Sequence, residues 1–231
     1  MTASAPSAAS DARSVARARR VRGAVRVPGD KSISHRAALF NALATGRAHI
    51  SNFSGGANCA STLACLRALR VPVAHDGQRV VVGGVGLRGL REPEDVLDCG
   101  NSGTSMRLLT GVLAGSRMFA VLSGDRSLRG RPMARIVDPL RQAGAAIDGR
   151  DGGRLPPLVV RAHAGLRGVE HRLALASAQV KSCLLLAGLF AEEATTVVEP
   201  ATTRDHTERM LSAMGAQVRR DGARISLQPA S

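Results

Sequence analysis

The hydrophobic and polar positions of this sequence follow a pattern that recurs three times along the chain. Hexapeptides that align without gaps begin at Leu66, Leu140 and Leu211, so successive copies start 74 and 71 residues apart (66 to 140 and 140 to 211). Each hexapeptide closes a helix-like apolar pattern and precedes a β-type residue, an Asp-Gly pair and a β-rich run, which together predict a hairpin. The strands are predicted at Val73 and Val80–Val82, at Ile147 and Leu158–Val160, and at Val218 and Ile225–Leu227, with turns at Asp76-Gly77, Asp151-Gly152 and Asp221-Gly222.

A second similarity opens each copy, where a serine-rich loop leads into an apolar helix. The predicted helices are Ser32–Ala44, Ser102–Ala114 and Ser177–Phe190. Each unit then reads helix, strand, helix, strand, strand, and a period of about 70 residues predicts one α/β domain of three similar units. The units span about 21–90, 91–162 and 163–231, after a tail at 1–20. A doubly wound sheet with accidental similarity is the alternative.

Glycines mark two of the predicted helix ends. Gly144 and Gly215 occupy the position after a helix where the backbone turns left-handed, a conformation that glycine adopts without the usual steric cost. Arg70 takes the same position in the first copy. A left-handed arginine there is expected to cost on the order of 1 kcal/mol.

Composition narrows the class of protein. Hydrophobic residues make up 44% of the chain and aromatic residues only 2%, which predicts a folded domain with an aliphatic core. The formal charge of +14 first suggests nucleic acid as a partner. Single-strand binders stack bases on aromatic rings, however, and this chain has no Trp or Tyr. Small anionic molecules are therefore the favoured ligands, with a basic nucleic-acid-binding module as the alternative outside the enzymes.

The sequence predicts a soluble, cytoplasmic protein. Its longest apolar run, 180–191, is interrupted by Lys181 and Ser182 and is too short to span a membrane. The four cysteines form no C-x-x-C pair and have no histidine at a ligand spacing, so they are interpreted as buried thiols and no metal site is expected. Residues 1–20 have the composition of a transit peptide or a disordered tail, and we favour the tail.

The densest cluster of polar side chains is the segment 28–36, PGDKSISHR, at the entry to the first predicted helix. Cations in the first turn of a helix oppose its macrodipole, so structure alone does not favour Lys31 and Arg36 there. Free N–H groups, serine hydroxyls and two cations together suit a phosphate or a carboxylate. The other helix starts predict further contacts to a substrate with several negative groups: Ser102, Gly103, Thr104, Ser105 and Arg107, and Ser177, Gln179, Lys181 and Ser182.

Lysine is rare in this chain. Of the 32 basic residues only Lys31 and Lys181 are lysines, and both lie at these helix starts. A compact ammonium can approach a reacting phosphate more closely than the planar fork of arginine, although a solvated or snorkelling Lys181 is equally consistent with the sequence. Arg131 precedes Pro132, which is expected in the first turn of a helix, with the guanidinium of Arg131 free to reach outward.

Three other patterns resemble functional motifs but are interpreted as structural. The segment 84–89 satisfies the string G-x-G-x-x-G, but residues 91–93 (Arg-Glu-Pro) follow where a dinucleotide site requires a helix. Asp205 and Glu208 are interpreted as a helix cap and its capping-box partner. His35 and His206 are interpreted as polar helix residues, since neither has a neighbouring nucleophile in sequence.

Five segments, in the right order, resemble signature blocks of the 5-enolpyruvylshikimate-3-phosphate synthases; they are 28–36, 99–107, 131–133, 177–182 and 203–209. In that family two globular domains close over the substrates, and each domain contains three βαβαββ units in an inside-out α/β barrel. The resemblance implies that 21–231 is one such domain. It also implies that 1–20 is either a disordered tail or a remnant strand of the other domain.

The resemblance assigns ligand contacts residue by residue. Those expected for shikimate 3-phosphate are Lys31, Ser32, Arg36, Ser177, Gln179 and Thr203. Those expected for phosphoenolpyruvate are Lys31, Gly103, Arg131 and Gln179. Thr203 replaces the usual serine of the family and keeps its hydroxyl, whereas Asn58 stands where many relatives have an aspartate.

The family's reaction transfers the enolpyruvyl group of phosphoenolpyruvate to the 5-hydroxyl of shikimate 3-phosphate and releases phosphate, in the shikimate pathway to aromatic amino acids. The resemblance implies no cofactor. It places the Asp, Lys and Glu of proton transfer in the absent domain, so no catalytic residue is expected in this chain. We predict a half-enzyme that binds both substrates and is inactive alone. Its expected partner is a complementary C-terminal half. An enolpyruvyl transferase that acts on another hydroxyl substrate is the enzymatic alternative.

Overall fold

The computed structural model describes residues 14–230, and residues 1–13 and 231 lie outside the described part of the chain. Of the predicted tail at 1–20, only residues 14–20 are described, and they are exposed and form neither helix nor strand. The segment 21–30 is also without helix or strand, and it enters the first helix at Lys31.

The first unit combines two helices with an antiparallel sheet. Its elements are α1 (Lys31–Leu43), β1 (Thr45–Ile50), α2 (Ala57–Ala68), β2 (Val73–Asp76) and β3 (Arg79–Val85). The strand order is β1-β3-β2, and Val73 lies opposite Val82 in the predicted hairpin. Because β1 pairs only with β3, its other edge is free within the described residues.

The second unit has a four-stranded sheet. Its elements are β4 (Leu97–Asp98), α3 (Gly103–Ser116), β5 (Ala120–Ser123), α4 (Arg126–Arg129), α5 (Ala134–Gln142), β6 (Ala146–Gly149), α6 (Arg150–Gly153) and β7 (Leu155–Arg161). The strand order is β4-β5-β7-β6, in which the first pair is parallel and the other two are antiparallel. The short α6 lies in the β6–β7 hairpin connection, where Asp151 and Gly152, the predicted turn, both have left-handed, non-helical backbone angles.

The third unit repeats this arrangement. Its elements are β8 (Glu170–Arg172), α7 (Ala178–Gly188), β9 (Thr195–Val198), α8 (His206–Ala213), β10 (Val218–Asp221) and β11 (Arg224–Leu227). The strand order is β8-β9-β11-β10, again with a parallel first pair and two antiparallel pairs. The predicted βαβαββ unit is thus confirmed in the second and third units. In the first unit, the strand that would precede α1 is missing from the described residues.

Helices α1, α3 and α7 lie at the centre, and α3 and α7 are in very close contact. This contact requires Gly111, because a Cβ atom there would lie 2.3 Å from the backbone oxygen of Cys183. Thr104 near the start of α3 bonds Gln179 near the start of α7, so the two helices run parallel. Their positive N-termini consequently lie at the same end of the domain.

The core is aliphatic, as the composition predicts. Buried Leu, Val and Ala side chains dominate it, with Phe40 and Phe53 as its fully buried aromatic residues among those described. The four cysteines are buried free thiols. No helix within residues 14–230 combines the length and the hydrophobicity needed to cross a membrane.

One predicted helix start is wrong by two residues. Pro132 is predicted in the first turn of a helix, but α5 begins at Ala134, with Met133 at its N-cap. The Met133 N–H donates to the carbonyl of Arg154 at 2.8 Å. This contact with a residue far along the chain fixes the backbone ahead of the helix, and the sequence around Pro132 does not reveal it.

The three predicted helix ends all adopt left-handed backbone angles. Their φ values are 64° at Arg70, 107° at Gly144 and 91° at Gly215. The Arg70 guanidinium forms an ion pair with Glu94, but both side chains are mostly exposed, and such pairs add little to stability. The steric cost at Arg70 is therefore largely uncompensated.

We expect the substitution Arg70→Gly to raise the free energy of unfolding by about 0.5–1 kcal/mol, because glycine removes the left-handed strain and the exposed ion pair contributes little. Urea denaturation measures this difference. The matched control is Gly215→Ala, where a Cβ would meet open space, so its expected loss of about 1 kcal/mol reports the backbone alone. An Arg70→Gly protein less stable than the wild type would show that the left-handed backbone at Arg70 is not strained.

Candidate anion-binding site

The N-termini of α1, α3 and α7 meet at one end of the domain. Asp30, Ser102 and Ser177 cap these helices by accepting hydrogen bonds of 2.8, 3.0 and 3.4 Å from backbone N–H groups of the first turns. None of the three first turns contains an acidic residue. Because a helix N-terminus carries partial positive charge, this end of the domain favours an anion.

A small pocket between these N-termini collects side chains from all three units. Its lining consists of Ser32, Arg36, Thr104, Ala178, Gln179, Arg204 and His206. Three residues predicted to contact shikimate 3-phosphate, Ser32, Arg36 and Gln179, are thus brought together from α1 and α7. Gln179 is far from Ser32 and Arg36 in sequence, and the packing of α1 against α7 makes them neighbours.

Arg36 is the buried cation of this pocket, with only 3% of its surface exposed. Its Nε donates to the Thr207 hydroxyl at 2.7 Å, Nη2 to the Ser182 hydroxyl at 2.6 Å, and Nη1 to the Ser32 carbonyl at 3.0 Å. Burial, and then the nearby Arg204, lowers the pKa of Arg36. These neutral partners hold the guanidinium in place and leave its charge available to an anion.

Gln179 connects α7 to α3. Its Oε1 accepts a hydrogen bond from Nη1 of Arg107 at 2.8 Å, and its Nε2 donates to the Thr104 hydroxyl at 2.9 Å. The two partners fix the orientation of the amide, because one is a donor and the other accepts. One amide N–H of Gln179 remains for a ligand.

A second cationic group lies at the start of α3. A Cβ on Gly103 would lie 2.7 Å from Nη1 of Arg107 and 3.2 Å from Nη1 of Arg131, so glycine allows both guanidinium groups to approach the helix. Arg131 donates to Asn101 at 2.5 Å. Burial, and then the proximity of Arg131, lowers the pKa of Arg107. Within residues 14–230 neither arginine forms an ion pair.

The other predicted contacts surround the small pocket without lining it. Lys31 is the exposed first residue of α1. Ser177 uses its hydroxyl as the cap of α7. Thr203 is half-buried and donates its hydroxyl to Oε1 of Glu199.

Lys181 turns away from the pocket into the interior. Its side chain has no exposed surface, and its ammonium lies 3.0 Å from Oε2 of Glu199 and 2.5 Å from Oε1 of Glu208. Arg220 lies 3.9 Å from both carboxylates. Lys181 is therefore neither solvated nor placed to meet a phosphate, since two buried carboxylates require its charge. The capping-box prediction is also wrong, because Asp205 makes no side-chain cap and Glu208 faces Lys181.

A buried chain of hydroxyl groups links α1 to α3. Nδ1 of His35 lies 2.7 Å from the Thr62 hydroxyl, which lies 2.6 Å from that of Ser105, which in turn donates to Ser102 at 2.7 Å. His35 is 1% exposed, and its Nε2 has no hydrogen-bond partner among the described residues. Burial, and then the neighbouring cations of α1, lowers its pKa to about 4. The imidazole is consequently neutral near pH 7.

Sequence reasoning missed two of the polar pocket residues, Arg204 and His206. Arg204 follows Thr203 and lies two residues before the start of α8. A cation at a helix start is the pattern that also drew attention to Lys31, so the sequence could have indicated Arg204. His206 begins α8, as predicted for a polar helix residue, and it also lines the pocket. Within residues 14–230, no three His, Cys, Asp or Glu side chains are arranged to hold a metal ion.

The buried His35 predicts a specific loss of stability in acid. Its folded-state pKa of about 4 lies below the model-peptide value of 6.5, so protonation favours the unfolded chain as the pH falls through this window. We expect this residue to lower the free energy of unfolding by about 2–3 kcal/mol between pH 7 and pH 4. Urea denaturation at the two pH values measures the loss.

The variant His35→Gln separates this contribution from those of the other titrating groups. Glutamine can still bond the Thr62 hydroxyl but does not titrate, so its stability should fall by about 2–3 kcal/mol less than that of the wild type over the same range. Identical pH dependence in the two proteins would show that His35 is not buried in its neutral form.

The chain is similar to known proteins over nearly its whole length. The family model for EPSP synthase (3-phosphoshikimate 1-carboxyvinyltransferase) matches residues 15–230. A 3-phosphoshikimate 1-carboxyvinyltransferase of Chloroflexus aurantiacus is 58% identical over 214 residues, which cover 92% of this chain and 49% of that protein. A protein of the same name from Roseiflexus castenholzii is 59% identical over 212 residues, covering 91% of this chain and 49% of the relative.

Solved structures agree with the sequence similarity. The EPSP synthase of Acinetobacter baumannii superposes with a TM-score of 0.87 at 45% identity, covering 90% of this chain and 47% of that one. The chain thus spans about half the length of the relatives that it matches. Since the family model matches 15–230 and the fold agrees, the chain belongs to the EPSP synthase family.

Proposed function

We propose that this chain is the half of a 3-phosphoshikimate 1-carboxyvinyltransferase that binds shikimate 3-phosphate and phosphoenolpyruvate, and that it does not turn over alone. The main support for this proposal is the pocket between three helix N-termini, which Arg36 and Gln179 both line. The chain that contains this pocket belongs to the EPSP synthase family. The chain's high similarity to proteins named for this reaction supports the choice of substrates.

Shikimate 3-phosphate suits the small pocket and its surroundings. A phosphate dianion matches the buried guanidinium of Arg36 and the free N–H groups at the N-termini of α1 and α7. The hydroxyl of Ser32 and the remaining N–H of Gln179 can bond phosphate or ring oxygens. We propose that Lys31, Ser177 and Thr203, which surround the small pocket, also contact shikimate 3-phosphate when it binds.

Phosphoenolpyruvate suits the second cationic group, where Gly103 and Arg131 lie at the start of α3. Arg131 offers a planar fork to a carboxylate or a phosphate, and the absent side chain of Gly103 leaves the helix N–H groups accessible. Gln179 and Arg107 connect this group to the small pocket. We place Lys31, exposed at the start of α1, between the two ligands.

The proposed reaction needs proton transfers as well as cations. The 5-hydroxyl oxygen forms a bond to C2 of phosphoenolpyruvate, while the hydroxyl loses its proton and C3 gains one. Expulsion of phosphate then breaks the bond between C2 and the phosphate oxygen, and C3 loses a proton. Lys31 and Arg131 can stabilise the developing charge on the phosphate. The lining of the small pocket includes no carboxylate among the described residues, so we assign proton transfer to a second half.

Two features of the first unit suit association with a further domain. Val21, Val25 and Val27 in the segment ahead of α1 are 88%, 86% and 66% exposed. The free edge of β1 also offers unpaired backbone groups where the other two sheets have a fourth strand. Exposed valines and open strand edges both favour pairing with another chain segment. We propose a complementary C-terminal half as that partner.

The substitution Arg36→Ala should weaken shikimate 3-phosphate binding by about 1.5–3 kcal/mol, the range for hydrogen bonds to charged groups. Isothermal titration calorimetry measures the affinity. The matched control is Arg209→Ala, which removes an exposed arginine of α8 and should leave the affinity unchanged. Because Arg36 also ties α1 to α7 and α8, circular dichroism must show that the variant is folded. Unchanged affinity in a folded Arg36→Ala protein would remove Arg36 from the site.

Mixing this chain with the C-terminal half of the Chloroflexus aurantiacus relative should restore phosphate release from the two substrates. Inter-domain surfaces within a chain are modest, about 600–1,500 Å², so the halves should associate weakly until substrate bridges them. Phosphate release is followed while both substrates are titrated, and Lys31→Ala is the control that should abolish it. Turnover by this chain alone, lost in Lys31→Ala, would contradict the half-enzyme proposal, and so would an inactive mixture of two folded halves in excess.

A further inference from the structure

A single buried ammonium ties together three elements beside the small pocket. Lys181 lies in α7, Glu199 directly follows β9, and Glu208 lies in the first turn of α8. The ammonium contacts both carboxylates, at 3.0 and 2.5 Å. The connection between β9 and α8, residues 199–205, is therefore fixed to α7 at both of its ends.

This connection carries residues of the candidate site. Thr203 donates its hydroxyl to Oε1 of Glu199, while Oε2 of the same carboxylate meets Lys181. Arg204 follows and lines the pocket. At the other end, Thr207 lies next to Glu208 and accepts the Nε hydrogen bond of Arg36. Thr203 is thus linked to Lys181 through the Glu199 carboxylate, and Arg204 lies in the segment between the two glutamates.

The cost of burying these charges argues for a role beyond stability. Two carboxylates out of water require a close positive charge, and a buried ion pair is often no more stable than well-packed apolar residues of similar volume. Arg220 is the outer cation of the cluster, 3.9 Å from each carboxylate and 32% exposed at its side chain. Arg220 thus also spans the two carboxylates, but at a longer distance than the 3.0 and 2.5 Å of Lys181 and with a partly exposed side chain. Among the described residues, Lys181 is the closer of these two cations and the fully buried one.

We propose that Lys181 is a positioning residue for ligand binding, which sets Thr203 and Arg204 against the small pocket through Glu199 and Glu208. This inference rests on the proposed function, because shikimate 3-phosphate is the ligand concerned. Lys181 is fully buried and contacts Glu199 and Glu208, so it is not expected to touch the ligand. Its effect on affinity passes through the 199–205 connection.

The test uses the double variant Lys181→Met with Glu208→Gln, which removes one positive and one negative charge and leaves Glu199 near Arg220. This variant keeps the net charge of the cluster unchanged, so no buried carboxylate is left without a nearby positive charge. We expect amides of residues 199–205 to exchange faster with deuterium, and the dissociation constant for shikimate 3-phosphate to rise about tenfold, as for one lost charged hydrogen bond. The control Arg220→Lys keeps the outer positive charge and leaves both contacts of Lys181 in place, so it should stay within about twofold of the wild type in both measurements.

A mutant cycle distinguishes positioning from a general loss of structure. In a Thr203→Val, Arg204→Ala background, the Lys181 and Glu208 substitutions should change the affinity by less than about twofold, because the side chains that they position are gone. Additive losses would overturn the inference, as would unchanged amide exchange at 199–205. If exchange changes as expected but the wild type binds no shikimate 3-phosphate, the proposed function fails and the mechanical link from Lys181 to the connection stands.

Discussion

The close parallel packing of buried helices at the centre of the domain is the constraint on which the candidate site depends. Gly111 of α3 lies against the backbone of Cys183 in α7, where no side chain would fit. This contact sets the register in which Thr104 meets Gln179, and α1 joins through Arg36 and Ser182. Three positive helix ends are thereby concentrated in one place, and an anion there is stabilised by all of them.

The polar residues behind this surface position its cations instead of neutralising them. Arg36 is held by two hydroxyl groups and a carbonyl, and Gln179 is oriented by Arg107 and Thr104. The acidic side chains that are buried nearby are already committed to Lys181. The site therefore keeps a surplus of positive charge, which destabilises the free protein slightly and favours an anionic ligand.

The sequence predicts the parts of this protein that local patterns determine. The hairpins follow from Asp-Gly pairs between β-rich runs, and the left-handed helix ends follow from Gly144 and Gly215. The partners of Lys181 were not predictable, because Glu199 and Glu208 are 18 and 27 residues away in sequence and only tertiary packing brings them to α7 (181 to 199 and 181 to 208). The start of α5 depends on a similarly remote contact. Sequence patterns thus predict the helices, the strands and the cations at the helix starts. Tertiary packing determines which of these cations line the candidate site and which are buried in ion pairs.

If shikimate 3-phosphate binds where the three helix N-termini meet, as we propose, the backbone amide chemical shifts of the labelled chain should report it. During titration with this ligand, we expect saturable shifts confined to residues 31–36, 103–107, 177–182 and 203–207. Inorganic phosphate should move a subset of the same amides at higher concentration, because it lacks the ring hydroxyls. Absence of saturable shifts, or shifts spread over the basic surface and reproduced by an oligonucleotide, would show that shikimate 3-phosphate does not bind specifically at these helix N-termini.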